Sequence, residues 1–209
     1  MNTTIALVID RSGSMDPLRN DTIGGVNNFI KDQQAIPGDC DLTMVQFSTG
    51  APLFIHRGTP IKSVAPLTKE TYRPVGGTAL LDAMGQCIDE TGKRLAELPD
   101  KERPERVIFC VVTDGEENSS HDFTAAQIAE KVKHQTEKYG WQFVFLGANM
   151  DSIAAAATLG IQAQSAMNYQ ATPVGTAKAY AAFSRNVASS RTGGAVNMDW
   201  SAAQRKDNS

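Results

Sequence analysis

Ile5-Ala6-Leu7-Val8-Ile9-Asp10-Arg11-Ser12-Gly13-Ser14-Met15, residues 5–15, sets an unbroken apolar run against a loop of small polar residues that opens on a carboxylate. A run of consecutive apolar side chains bounded by a loop reads as a strand buried on both faces, and such strands belong to the middle of a parallel sheet. Read outward, the strand spans residues 3–10 and the loop after it carries the first candidate chemistry.

Beyond the loop, Asp16 is placed to cap a helix with Pro17 at its first position, and Ile23, Val26 and Ile30 recur at helical spacing to about Ala35. Residues 42–47 form a second strand. Residues 52–55 form a third, which Pro52 assigns to an antiparallel edge. Residues 59–75 contain Pro60, Pro66 and Pro74 without a sustained period and read as a surface excursion. From Thr78, the spacing of Leu81, Met84, Ile88, Leu95 and Leu98 predicts a long amphipathic helix.

The strongest strand is Val107-Ile108-Phe109-Cys110-Val111-Val112, followed at once by Thr113-Asp114-Gly115. Ala125, Ile128, Ala129, Val132 and Thr136 define the next helix, which Gly140 ends, and residues 142–146 give a further buried strand. A short Ala-rich helix at 153–159, a strand at 165–169 and a helix at 174–190 complete the reading. This alternation of strand and helix predicts an α/β chain with a largely parallel sheet.

A chain of 209 residues can bury a sizeable core without disulfides or structural metals. Its net charge of -3 offers no basic footprint, so nucleic acid is not an expected partner. Cys40, Cys87 and Cys110 are odd in number and lack metal-ligand spacing, and two of them sit in apolar periodic segments, which fits a reducing compartment. The opening apolar run is far shorter than the roughly 20 residues that span a bilayer, and no basic n-region or small-residue cleavage site precedes it. A monomeric cytoplasmic protein without membrane contact is therefore expected. Residues 1–191 are read as the domain. Residues 192–209, polar apart from Val196, Met198 and Trp200, are read as a tail docked on it or extending from it, with Trp200 as the anchor and a partner-binding segment as the rival reading.

Ligand sites of open parallel sheets lie outside the carboxyl ends of the strands. That rule selects three loops: residues 10–15, the Gly76-Gly77-Thr78 junction before the long helix, and Thr113-Asp114-Gly115. Taken singly, each has a bland reading. A Ser- and Gly-rich loop is a turn, Thr78 is a helix N-cap, and Asp-Gly is a turn. Taken together, D-x-S-x-S after one central strand, Thr at a helix start and Asp after another central strand fall on one rim.

In this combination the chain resembles the von Willebrand factor A family, over about residues 3–160, and looks closest to small stand-alone bacterial or phage members. Asp10, Ser12, Ser14, Thr78 and Asp114 match the five residues of that family's metal-ion-dependent adhesion site. The resemblance implies a three-layer Rossmann-like fold, a mostly parallel central sheet with one antiparallel edge strand and helices on both faces. It further implies that Ser12, Ser14 and Thr78 touch the metal while Asp10 and Asp114 orient water. The implied partner is a protein that presents Asp or Glu to the metal, with a ring-shaped ATPase or its substrate among those the intracellular members work beside.

The donor types support a hard cation independently of the family. Hydroxyl and carboxylate oxygens suit Mg²⁺, with Mn²⁺ as a substitute, whereas Zn²⁺ or copper draws His and Cys. His56, His121 and His134 have no paired ligand spacing and read as surface residues. Glu116 and Glu117 are two acids on a solvated loop or, on the sharper reading, tune the site; Asn149 and Asp151 stand near the same rim. The rival function is a Mg²⁺-dependent hydrolase or phosphotransferase in which Glu116 or Glu117 serves as a base. Ser12 stands where a haloacid-dehalogenase-like phosphatase carries its second Asp. The G-x-S-x-G, Walker and G-x-G-x-x-G patterns are all missing. A third reading keeps the fold as a scaffold, with metal only stabilising the rim.

Overall fold

The computed structural model describes residues 2–194 and 198–208. Its strands are β1 (Thr3–Asp10), β2 (Cys40–Phe47), β3 (Leu53–Pro60), β4 (Arg106–Thr113), β5 (Gln142–Ala148) and β6 (Ala166–Tyr169). Its helices are α1 (Arg19–Gln34), α2 (Leu80–Ala96), α3 (Ala125–Tyr139), α4 (Ser152–Thr158), α5 (Pro173–Arg191) and α6 (Ala202–Asn208). The sheet order is β3-β2-β1-β4-β5-β6; β3 runs antiparallel at one edge and the other pairings are parallel. The expected α/β class, with helices on both faces and one antiparallel edge strand, is what the chain forms.

Period-two alternation splits the apolar strands between two cores. Ile5, Leu7 and Ile9 of β1, with Ile108, Cys110 and Val112 of β4, face the layer of α1 and α5. Ala6 and Val8, with Val107, Phe109 and Val111, face the layer of α2, α3 and α4. The central strands thus need apolar residues at every position, which is why their sequences show no polar alternation. In the first layer the Phe29 and Phe183 rings stack at 5.0 Å between centroids. Gly25 lets α1 approach α5 closely, since a Cβ there would meet the Tyr180 ring at 2.3 Å.

The far end of α1 is closed by α5. The buried Arg191 guanidinium donates to the carbonyls of Gln33, Ile36 and Gly38 and to Gln33 Oε1. A cation is well placed among the unpaired carbonyls at a helix C-terminus. All three cysteines are buried and free. Burial pushes the Cys40 and Cys87 thiols up to about 12 and raises Cys110 as well.

Three local expectations are corrected. The first helix starts at Arg19, because the chain leaves β1 through a 3₁₀ turn, Gly13–Met15, which buries Met15 and takes up Asp16 and Pro17 before regular helix begins. The segment after β3 is no surface excursion: Ile61, Val64, Leu67 and Tyr72 are buried in the first core layer. It shows no period because side chains satisfy its backbone, with Asn27 bonding both N–H and C=O of Leu67 and Gln34 bonding the carbonyls of Ile61 and Val64. Finally, β3 extends to Pro60, beyond the four residues expected.

Met198 and Trp200 are buried in the first core layer, and the Trp200 backbone N–H donates to the Gln164 carbonyl. Val196, the other apolar residue of the expected tail, lies outside the described residues. Among the described residues no helix is long and apolar enough to cross a membrane.

Candidate metal centre

The carboxyl ends of β1 and β4 are adjacent, since the two strands pair in parallel with Ile9 opposite Val112. Asp10 and Asp114 therefore leave the sheet side by side, one residue past the pairing in β1 and just past the end of β4. Asp10 is fully buried. Its Oδ1 accepts from the Ser12 N–H at 2.7 Å and its Oδ2 from the Thr113 hydroxyl at 2.6 Å. Tyr72 donates its hydroxyl to the Asp10 carbonyl at 2.6 Å, so the residue is held at both its side chain and its backbone.

From Ser12 a chain of oxygens runs outward. Ser12 Oγ and Ser14 Oγ are 2.9 Å apart, and Ser14 Oγ donates to Asp114 Oδ1 at 2.6 Å. A methyl built on Gly115 would lie 3.8 Å from both Ser14 Oγ and Thr78 Oγ1, so those hydroxyls flank one point beside Asp114. The structure thus brings together all five residues expected from the sequence: Asp10, Ser12, Ser14, Thr78 and Asp114.

The Gly76-Gly77-Thr78 junction is held by its backbone. Gly13 N–H donates to Gly76 C=O at 2.8 Å, and Thr78 exchanges bonds with Asn118: its N–H donates to Asn118 Oδ1 while its carbonyl accepts from the Asn118 N–H. Gly76 sits at a φ of 77°, which favours glycine. Gly77 has no room for a side chain, since a Cβ there would meet Ser119 Oγ at 2.3 Å. Thr78 is not the N-cap of the long helix: the cap position is Ala79, whose side chain makes no bond.

Glu117 supplies the missing cap. Its Oε1 accepts from the N–H groups of Ser119 and Ser120, and its Oε2 from the Leu81 N–H and the Ser120 hydroxyl. Four accepted bonds use the lone pairs of a carboxylate, which leaves Glu117 neither a solvated loop acid nor a free base. Asp82 works beside it, accepting from the backbone N–H groups of His121, Asp122 and Phe123. The loop from Asp114 to Phe123 is therefore tied to the first turn of α2. Asp151 caps α4 through Ala154 N–H, and Asn149 adopts a left-handed φ of 55° at the end of β5. Of the histidines, His121 and His134 are exposed and His56 is half-buried.

Sequence reading gave no role to Thr113, Tyr72, Asn118 or Asp82. Thr113 reads as the first residue of the loop, whereas it ends β4 fully buried, where a hydroxyl needs a partner. The others depend on contacts tens of positions away and leave no local signal.

The electrostatics of the centre are unbalanced. Desolvation raises the Asp10 carboxyl above its usual range, and the neighbouring Asp114 charge adds to this, while the bonds from Thr113 and Ser12 oppose it. Desolvation likewise raises Asp114, against the Ser14 bond. Among the described residues neither carboxylate has a basic partner within ion-pair distance. No three His, Cys, Asp or Glu side chains cluster as metal ligands among those residues. The donor set is instead two carboxylates with hydroxyls, all oxygen, which fits a small hard cation and is otherwise an uncompensated pair of buried acids.

No protein-family model matches the chain, and no curated protein matches it. Solved structures of similar fold include a von Willebrand factor type A protein from Catenulispora acidiphila, 14% identical over 92% of this chain and 43% of that one, with a TM-score of 0.58. Proximal thread matrix protein 1 from the mussel byssus is 16% identical over 90% of this chain and 46% of that one, with a TM-score of 0.59. A further structure of the mussel protein, at 17% identity and a TM-score of 0.56, has a zinc-occupied MIDAS motif. The chain spans less than half the length of these proteins. At such identities the likeness speaks for architecture alone: the chain has the three-layer, Rossmann-like fold of the von Willebrand factor A domains.

Proposed function

We propose that the chain is a metal-dependent protein-binding module that recognises an Asp or Glu of a partner protein through Mg²⁺, with Mn²⁺ as a substitute, held by Asp10, Ser12, Ser14, Thr78 and Asp114. The observation that carries this reading is the pair of buried carboxylates, Asp10 and Asp114, joined through Ser12 and Ser14 and lacking any cationic partner among the described residues. The zinc-occupied motif of the mussel protein supports metal binding by this fold. When bound, the cation supplies a Lewis-acidic vertex able to take an external carboxylate.

The residues around it prepare the rim. Thr113 and the Ser12 N–H orient the two oxygens of Asp10, and Ser14 orients Asp114. Glu117 and Asp82 tie down the loop that carries Asp114, so the donors are positioned before a cation arrives. The hydrolase reading asks Glu116 or Glu117 to act as base. Glu117 is fully engaged by N–H and O–H donors, so that reading rests on the exposed Glu116 alone. We assign residues 1–191 to the domain and residues 192–209 to a segment docked on it, on the burial of Met198 and Trp200.

Calorimetric titration of Mg²⁺ into metal-free protein and into Asp10→Ala tests the site. One-to-one binding by the wild type and none by the variant is expected. Equal heats from both would remove Asp10 from the site and the function with it.

A further inference from the structure

The segments that bear the candidate donors also wall a groove. Leu80 and Leu81 follow Thr78 in the chain, Glu116 and Glu117 follow Asp114, and α4 with Met150 forms the far side, enclosing a volume of ≈ 370 Å³. Its lining is largely aliphatic: Leu80, Leu81, Ala125, Met150, Ala155 and Leu159. A groove of this size lies at the small end of ligand sites, which run from about 300 to 1,000 Å³, and suits one or two aliphatic side chains rather than a cofactor.

Its rim is acidic and uncompensated. Glu116 is exposed and has no hydrogen-bond or ion-pair partner among the described residues. Asp151 is exposed, and among the described residues its side chain bonds only the Ala154 N–H of its own helix. Among the described residues no Lys, Arg or His lines the groove. Glu117, also on this wall, has its oxygens engaged by the N–H and O–H donors it caps, so the carboxylates free to pair with a partner's cation are those of Glu116 and Asp151.

We propose that the groove is the specificity pocket of the docking surface: it takes an aliphatic side chain, and its acidic rim a Lys or Arg, from the same partner segment whose carboxylate reaches the metal. This rests on the adhesion reading and narrows it. A carboxylate alone is common to every protein surface, so the metal contributes affinity without selecting a partner. An adjacent apolar slot with a rim of one charge sign supplies the selection. The partner is a protein segment that combines Asp or Glu with Val, Ile, Leu or Met and with Lys or Arg.

Selection from a random-peptide phage library on wild-type protein in Mg²⁺, followed by anisotropy with fluorescein-labelled copies of the enriched peptides, tests the assignment. Glu116→Lys and Ala154→Met serve as probes: both residues are exposed, and Met is a good helix former that extends over the groove. The expected peptides combine the three residue types and lose binding in EDTA and with Asp10→Ala. Each groove variant is expected to weaken them about tenfold, and selection on Glu116→Lys should no longer favour Lys or Arg. Magnesium-dependent acidic peptides without aliphatic or basic preference, bound equally by both groove variants, would overturn this inference and leave the metal reading standing. Peptides bound equally in EDTA and by Asp10→Ala would overturn both. Failure to enrich any peptide would overturn the groove assignment, with the Mg²⁺ titration deciding the metal separately.

Discussion

Ser14 Oγ donates a 2.6 Å hydrogen bond to Asp114 Oδ1, joining the loop after β1 to the loop after β4 across 100 positions of sequence. The bond exists because the two central strands are parallel neighbours whose carboxyl ends open on the same rim. It supplies the side-chain donor to Asp114 from an exposed residue, so it can be removed without touching the core.

Replacing both Ser12 and Ser14 with Ala is therefore expected to leave a folded domain. The bonds lost are rim bonds worth about 1 kcal/mol each, well under the stability of a domain this size. Circular dichroism should be native, and the rise in melting temperature that Mg²⁺ gives the wild type should disappear. Global unfolding of the double variant would show that these hydroxyls support the fold rather than a cation.

The raised carboxyls of Asp10 and Asp114 make stability depend on pH and metal together. Their ordinary value is 3.8. With the folded value above that, the native state holds more protons than the unfolded state in the window just above it, so stability falls as pH rises through that window and stays reduced at neutral pH. In EDTA, Asp10→Asn should thus gain in melting temperature relative to wild type as the pH is raised from below 3.8 to neutral. In saturating Mg²⁺ at neutral pH the order should reverse, because a cation that binds only the native wild type stabilises it. An order that is the same in both buffers would speak against a cation between the two acids.

Glu117 carries four accepted bonds, three of them to the loop behind Asp114 and one to the start of α2. Glu117→Ala leaves the Leu81 and Ser120 N–H groups without an acceptor and the Ser119 N–H with only the Thr78 carbonyl, and is expected to cost about 2 kcal/mol, partly recovered through water. Hydrogen exchange should accelerate at the amides of Leu81, Ser119 and Ser120, and Mg²⁺ affinity should fall as the Asp114 loop loosens. Unchanged exchange at those amides would mean that Asp82 and the Thr78–Asn118 bonds hold the loop without Glu117.

Arg191 is a test of the opposite end of the molecule. Arg191→Met keeps the apolar stem and removes the donors to Gln33, Ile36 and Gly38, at an expected cost of about 2–3 kcal/mol. Chemical denaturation should show a lower midpoint with the slope unchanged, and Mg²⁺ affinity should be unaltered. A change in metal affinity would reveal coupling along α1 between the two ends.

Much of this was legible from residue order. The apolar runs of β1 and β4 announce double-sided burial, Gly140 marks the end of α3, and Pro52 points to the antiparallel edge that β3 forms. The buried strap of Ile61, Val64, Leu67 and Tyr72 was not legible, because a segment whose backbone is satisfied by Asn27 and Gln34 shows no periodicity. Nor was the start of α1, where Asp16 and Pro17 present a cap signal that the preceding 3₁₀ turn overrides.

The amino-acid order by itself determined the central strands, their burial on both faces and the three loops that carry the candidate hydroxyls and carboxylates, because hydrophobic period and turn chemistry act over a few neighbouring positions. Only the tertiary structure decided that Thr78 leaves capping to Glu117, that Thr113 and Tyr72 hold Asp10, and that an acidic, aliphatic groove adjoins the centre. Those features arise where segments far apart in the chain are brought together by strand pairing and helix packing, and such encounters leave no trace in the local order of residues.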